Sequence, residues 1–202
     1  TKDSNVVPVT PPSPEQPPIE KDVNSKPSET IADRTEEFTY NIHTTMPQDA
    51  TGFTVTDELK EVLEFAGDVQ VTLGGKKADA AVAKNGQTLE VTFPEETVKA
   101  NGGKKVQVTF KAKIKADADL TPYETANSYS VPNTASYLIN NNPASKKETK
   151  QVTVEVPKQP GPEVTKKINR TLDHLDVDRD VPYMYNVNTQ IPKDIRLYKE
   201  FT

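Results

Sequence analysis

The 202-residue sequence has no cysteine and no tryptophan, and only two histidines and two methionines. Disulfides and thiolate metal sites are thereby excluded. No apolar run approaches the length of a membrane span. No segment reads as a signal peptide, so targeting elements are expected to lie outside this stretch. Charge of one sign is also lacking: 25 basic and 30 acidic residues give −5, with the signs mixed along the chain. Nucleic-acid binders usually carry a basic stripe, and none is seen. Neither nucleic acid nor membrane is expected as a partner of this segment.

What is present points to a modest globular core. With 33% apolar and 27% charged residues, the chain can bury one full domain and part of another. A secreted β-rich domain without disulfides needs another source of stability. The 17 prolines are unevenly spread. Val7–Pro18 (VPVTPPSPEQPP) is an extended linker or stalk, or equally a disordered tail, and residues 1–18 are assigned to it. Pro157–Pro162 (PKQPGP) reads as a short stiff hinge, which leaves 158–162 as a linker.

The chain repeats itself 145 residues apart, and Ile19–Asp49 aligns onto Val164–Asp194 without gaps. Identical pairs include Lys21/Lys166, Asn24/Asn169, Asp33/Asp178, Arg34/Arg179, Tyr40/Tyr185, Asn41/Asn186 and Thr44/Thr189. A period this long means tandem domains rather than a solenoid. The first domain is placed at 19–157. The second opens at 163 and has only about two strands by Thr202, too little to bury a core. The segment is therefore expected to belong to a longer, multi-domain protein.

Inside the first domain the period is two. Expected strands are Ile19–Val23, Glu37–Thr44, Gly52–Thr56, Val69–Leu73, Thr88–Phe93, Lys105–Lys115, Thr134–Ile139 and Glu148–Val156. Gly74-Gly75, Asn85-Gly86 and Asn101-Gly102-Gly103 mark turns. Asp57–Phe65 reads as a short helix or turn. Many short strands with regular turns predict an all-β, immunoglobulin-like β-sandwich with short helical insertions.

Three polar residues lie in phase with the apolar ones. Ile19-Lys21-Val23 share a face, as do Phe53-Val55-Asp57 and Asn133-Ala135-Tyr137-Ile139. A lysine, an acid and an asparagine would thus point into one core, where an unpaired charge is expensive. Two outcomes are open: a buried ion pair with the asparagine hydrogen-bonded nearby, or an intramolecular Lys–Asn isopeptide bond. Glu58, Glu61 and Glu64 are alternatives to Asp57, and Asn127 is an alternative to Asn133. Phe38, Tyr40, Phe53, Phe110 and Tyr137 are expected to wall the pocket.

The EKDVN strand, the FTVTDEL segment and the late VPNTASY strand together resemble the fimbrial isopeptide-forming domains of Gram-positive surface adhesins. The tandem order and the proline-rich lead look most like the C-terminal half of enterococcal aggregation substance, and more distantly like streptococcal antigen I/II polypeptides. The resemblance implies that Lys21 is the nucleophile, Asn133 the electrophile and Asp57 the assisting acid. By the same motif Lys166 is the crosslink lysine of the second domain, whose acid and asparagine are not in this segment. The bond needs a neutral lysine, which burial favours, an acid that can donate to the amide oxygen and relay a proton, and close approach supplied by folding.

The implied function is structural: a stalk module of an extracellular, cell-wall-anchored adhesin that mediates aggregation, conjugative transfer and attachment. Its expected partners are neighbouring domains of the same adhesin, with cell-surface or host ligands contacted elsewhere. The rival reading is a module that binds host matrix, glycan or a partner cell through the loops Gln48–Gly52, Ala116–Asn127 and Asn140–Lys147, near Tyr123 and Tyr129. A turnover enzyme has no support, because no Ser-His-Asp or Cys-His set is plausible. No cofactor or metal is expected. His43 and His174 do not match across the repeat, and Asp173, Asp176, Asp178 and Asp180 lack the glycine and glutamate of an EF-hand.

Overall fold

The computed structural model describes residues 14–158 and 163–191. Most of the proline-rich lead, residues 159–162 of the hinge, and Pro192 and Asp194 of the repeat lie outside the described residues. The chain divides into two compact units, with the boundary after Pro157.

The first unit is built from three sheets. The first has the order β1 (Glu20–Val23), β3 (Phe38–Thr45), β10 (Lys105–Ile114), β6 (Gln70–Leu73) and β7 (Lys76–Lys77), with β5 (Leu63–Phe65) also on β10. The second is β11 (Ser128–Asn133), β14 (Val152–Pro157) and β2 (Ser28–Thr30). The third is β13 (Asn142–Glu148), β12 (Ala135–Ile139), β4 (Phe53–Glu58), β9 (Thr88–Phe93) and β8 (Ala81–Asn85). All pairings are antiparallel except β14 with β2. The architecture is all-β and immunoglobulin-like.

Period-two patterning sets what is buried. Along β10, Val106, Val108, Phe110, Ala112 and Ile114 are buried while Lys105 and Lys111 are exposed. They join Tyr40, Ile42, Phe53, Val55, Leu89, Val91 and Tyr137 in one core. Left-handed residues sit where hairpins reverse: Gly74 and Gly75 between β6 and β7, and Asn140 and Asn141 between β12 and β13. Such turns favour Gly and Asn because φ is positive there.

Several segments differ from the sequence expectation: β2, β7, β8, β11 and β13 are not among the expected strands, and three other stretches take a different form. Of the short helix or turn expected over Asp57–Phe65, only a turn at Glu61-Val62 forms: β4 runs through Glu58, and Leu63–Phe65 form β5. Leu59, Val62 and Leu63 are buried, so their helical spacing was satisfied without a helix. Gln87 holds the segment: its Nε2 donates to the Lys60 and Leu63 carbonyls at 2.8 and 2.7 Å and its backbone carbonyl accepts from Leu59 N, while Leu63 N donates to the Lys60 carbonyl and the Val62 carbonyl accepts from Lys115 N. Glu148–Val156 is not one strand, because the chain changes sheets at Thr149, whose backbone N–H and Oγ1 both bond Ala135. The helix α1 (Glu95–Ala100) buries only Val98, too little for a visible helical period.

Residues just before Ile19 also contact the first unit. Pro17 is buried. Its carbonyl accepts from Tyr137 Oη at 2.7 Å, and the Pro18 carbonyl accepts from Thr44 Oγ1 at 2.9 Å. The last prolines of the lead are thus docked on the sandwich.

The second unit has β15 (Val164–Ile168) paired antiparallel with β16 (Tyr185–Thr189). It reproduces the β1–β3 hairpin rung for rung. Lys166 opposes Val187 as Lys21 opposes Ile42, and Ile168 opposes Tyr185 as Val23 opposes Tyr40. Asn24 and Asn169 both have positive φ, and both side chains accept the backbone N–H fifteen residues on, from Thr39 and Met184. The apolar residues Val164, Tyr185 and Val187 of this hairpin are more than half exposed.

Candidate crosslinking site

Lys21, Asp57 and Asn133 meet in the core of the first unit, one from each sheet. The Lys21 and Asp57 side chains are wholly inaccessible to solvent, and Asn133 is buried. Lys21 lies on β1 between Ile19 and Val23, both buried. Asp57 lies near the end of β4, opposite Ala135 and Leu89. Asn133 is the last residue of β11, and the chain crosses to β12 at Thr134, so Asn133 and Ala135 belong to different sheets while keeping one phase.

The Asp57 carboxylate bridges the other two groups. Lys21 Nζ donates to Oδ2, and Asn133 Nδ2 donates to Oδ1 at 2.9 Å. Lys21 Nζ also lies over the Tyr40 ring, 4.1 Å from its centroid, and 5.4 Å from that of Phe110. Burial holds the Lys21 pKa below its ordinary 10.5, although Asp57 and, more weakly, Asp22 oppose the shift. The dry site thus favours the free amine. Burial, and then the Asp57 charge, push the Tyr40 phenol well above its ordinary value, while Asn133 pulls the other way. Two polar atoms here are buried without a hydrogen bond, Asn133 Oδ1 and Tyr40 Oη.

The competing sequence candidates fall elsewhere. Glu58 and Glu61 are exposed, Glu64 pairs with Lys113 at 3.2 Å, and Asn127 is exposed. Of the five expected wall residues, Tyr40 and Phe110 flank the lysine, and Phe38 backs Tyr40 at 5.4 Å between centroids. Phe53 instead packs with Tyr137 and with Phe93, and Phe53 and Tyr137 lie farther along β4 and β12 from Asp57. The Tyr137 hydroxyl is spent on Pro17, and burial pushes its pKa up to about 12. Lys166 stands at the register position of Lys21, exposed, with Nζ 4.0 Å from the Tyr185 ring centroid.

The candidate binding loops are partly tied down. Asn140 Oδ1 accepts from Thr51 N, Thr51 Oγ1 and Gly52 N at 2.7, 3.1 and 2.9 Å. This joins Gln48–Gly52 to the β12–β13 turn, and most of Asn140–Lys147 is strand β13. Tyr123 and Tyr129 pack against the core instead of standing free. His43 bonds Asp22, His174 bonds Asp176, and Asp173 is held by Lys167 at 2.6 and 2.7 Å. Among the described residues no group of three or more acids and histidines is placed to hold a metal ion, and no helix is long and apolar enough to cross a membrane.

No known family pattern matches the chain. Its whole length is 98% identical to a segment of platelet adherence protein A of Streptococcus gordonii, and it spans 6% of that protein's length. Among solved structures it is similar to BcpA, the major pilin subunit of Bacillus cereus, at 22% identity and a TM-score of 0.58, over 87% of this chain and 56% of that one. It is similar as well to the C-terminal domain of the antigen I/II polypeptide BspA of Streptococcus agalactiae, at 16% identity and a TM-score of 0.52, over 69% of this chain and 50% of that one. At these identities the solved structures establish a shared fold, that of domains from Gram-positive pilins and adhesins.

Proposed function

We propose that this segment is a load-bearing stalk module of a Gram-positive cell-surface adhesin, and that its first domain is locked by an isopeptide bond between Lys21 and Asn133. One observation carries the reading: a single buried carboxylate holds both a lysine with a depressed pKa and an asparagine amide. The step balances within the trio. Starting from the Lys21 ammonium and the Asp57 carboxylate, one proton passes to Asp57, the neutral Nζ adds to Asn133 Cγ, and one of its two remaining protons stays in the new amide N–H. The Cγ–Nδ2 bond then breaks, and Nδ2 leaves as ammonia with the second Nζ proton, which Asp57 can relay. Proximity supplies the driving geometry, and the event happens once per chain.

The identity to a segment of a platelet adherence protein supports attachment as the task of the whole molecule. The sequence resemblance to enterococcal aggregation substance would add cell aggregation and conjugative transfer. Wall anchoring and ligand binding would then belong to other regions, with neighbouring domains as the direct partners of this one. Lys166, on a hairpin that copies that of Lys21, would be the lysine of a second crosslink completed by residues of its own domain.

Intact mass under denaturing conditions tests the bond. The wild-type chain is expected to be lighter than its sequence by one ammonia, Lys21→Ala and Asn133→Ala to have their full masses, and Lys166→Ala to keep the single deficit. A wild-type chain of full mass ends the crosslink reading and leaves a buried ion pair in its place.

A further inference from the structure

We infer that the Tyr40 hydroxyl is a catalytic hydrogen-bond donor in this crosslinking step, stabilising the negative charge that develops on Asn133 Oδ1. The inference rests on the crosslink proposed above and adds a fourth residue to it. A buried polar atom without a partner calls for an explanation, and this site holds two of complementary kind: an O–H that can donate, and an amide oxygen that can accept. Both belong to residues at the lysine. The Tyr40 ring lies 4.1 Å from Lys21 Nζ, and the Asn133 amide shares Asp57 with that same nitrogen.

A phenylalanine would wall the pocket as well as a tyrosine. The ring alone supplies the apolar surface and the contacts with Phe38 and Phe110, whereas the hydroxyl adds a desolvated group without a ground-state hydrogen bond. Such a donor is useful when charge appears. As Nζ bonds to Cγ, the carbonyl π pair moves onto Oδ1, which becomes an oxyanion in a dry site where one aimed donor acts strongly. No proton leaves Tyr40; its phenol, made hard to ionise by burial, stays a donor throughout. The Asn133 side chain is also a neighbour of the phenol and eases its ionisation against burial.

The test follows intact mass during cell-free synthesis of wild type and Tyr40→Phe. Loss of ammonia is expected to be about 100-fold slower in Tyr40→Phe, the usual effect of removing one oxyanion donor. A structural role is read separately in the unreactive Lys21→Ala background, where adding Tyr40→Phe is expected to leave the urea midpoint unchanged or raised. Equal rates of ammonia loss overturn the inference, as does a slowed rate accompanied by a lowered midpoint in the Lys21→Ala pair. A wild-type chain that never loses ammonia removes the reaction itself, a failure distinct from wild-type closure with an equally fast Tyr40→Phe.

Discussion

Replacing the whole trio with apolar residues of similar shape, Lys21→Met, Asp57→Leu and Asn133→Leu, gives opposite signs for the covalent and non-covalent accounts. All three side chains are dry. If they form only an ion pair with a hydrogen-bonded amide, desolvation has consumed most of their attraction. Exchanging such a set for packed hydrocarbon is then neutral or stabilising by about 1–4 kcal/mol. If Lys21 is bonded to Asn133, the wild type has a closed loop of roughly 110 residues, worth about 5 kcal/mol in the chain-entropy account. The triple variant loses that term and recovers only the desolvation gain. Wild type should therefore exceed the variant by about 1–5 kcal/mol, or about 2–4 °C in melting temperature for each kcal/mol in a domain of this size. Equilibrium denaturation read by far-UV circular dichroism measures the difference. A triple variant at least as stable as wild type refutes the crosslink's contribution. Single substitutions do not discriminate: Lys21→Ala strands Asp57 and costs about 3–5 kcal/mol with or without a bond.

Three further outcomes follow from the same geometry. In Asn133→Ala, Lys21 stays a free amine with its folded pKa below 10.5. Between that depressed value and the unfolded one the unfolded chain binds more protons, so stability should rise with pH up to about pH 10; a wild type crosslinked as proposed would show no such slope, and a urea midpoint falling over this window in Asn133→Ala would show the sign to be wrong. Tyr137→Phe strands the buried Pro17 carbonyl and should lower stability by about 1–3 kcal/mol in urea titration, with faster amide exchange beside Pro17. In single-molecule pulling, the crosslinked first domain should release only the roughly 25 residues after Asn133, about 85 Å of contour, against roughly 480 Å for Lys21→Ala at about 3.4 Å per residue.

The sandwich was legible because burial in it follows period two, and β10 alternates through Ile114 as expected. Lys21, Asp57 and Asn133 could be picked out because each interrupts an apolar alternation without breaking its phase. That phase survives the corner at Thr134, where the chain changes sheets, so the sequence could not show that Asn133 and Ala135 lie in different ones. Leu59, Val62 and Leu63 carried a helical spacing, but their backbone groups bond Gln87, Lys60 and Lys115, two of them distant in sequence. The split at Thr149 was invisible for a similar reason, since its side chain and backbone bond Ala135. The Tyr40 hydroxyl had one sequence signal, the Tyr40/Tyr185 identity, which by itself is equally well explained by ring packing.

The place of Asn133 in the topology decides how a crosslinked domain would carry tension. Asn133 does not lie on the last strand: β12, β13 and β14 follow it. Tension entering at Pro17 would pass through Lys21 to Asn133, bypassing everything between, and leave through Pro157. The remaining path is the pairing of β11 with β14, in which Asn133 opposes Val152 and Ser128 opposes Pro157. The anchor is therefore at one end of this ladder and the load at the other. The six rungs from Asn133–Val152 to Ser128–Pro157 must slip together in shear and cannot open one at a time. The parallel pairing of β14 with β2 adds resistance from its other edge. A crosslink to Asn133 thus leaves a short reserve of chain behind a strong catch, whereas one placed on β14 itself would leave none. The domain would yield by a limited length at high force and then hold on its covalent path, a mechanical behaviour suited to a stalk that must survive sudden load.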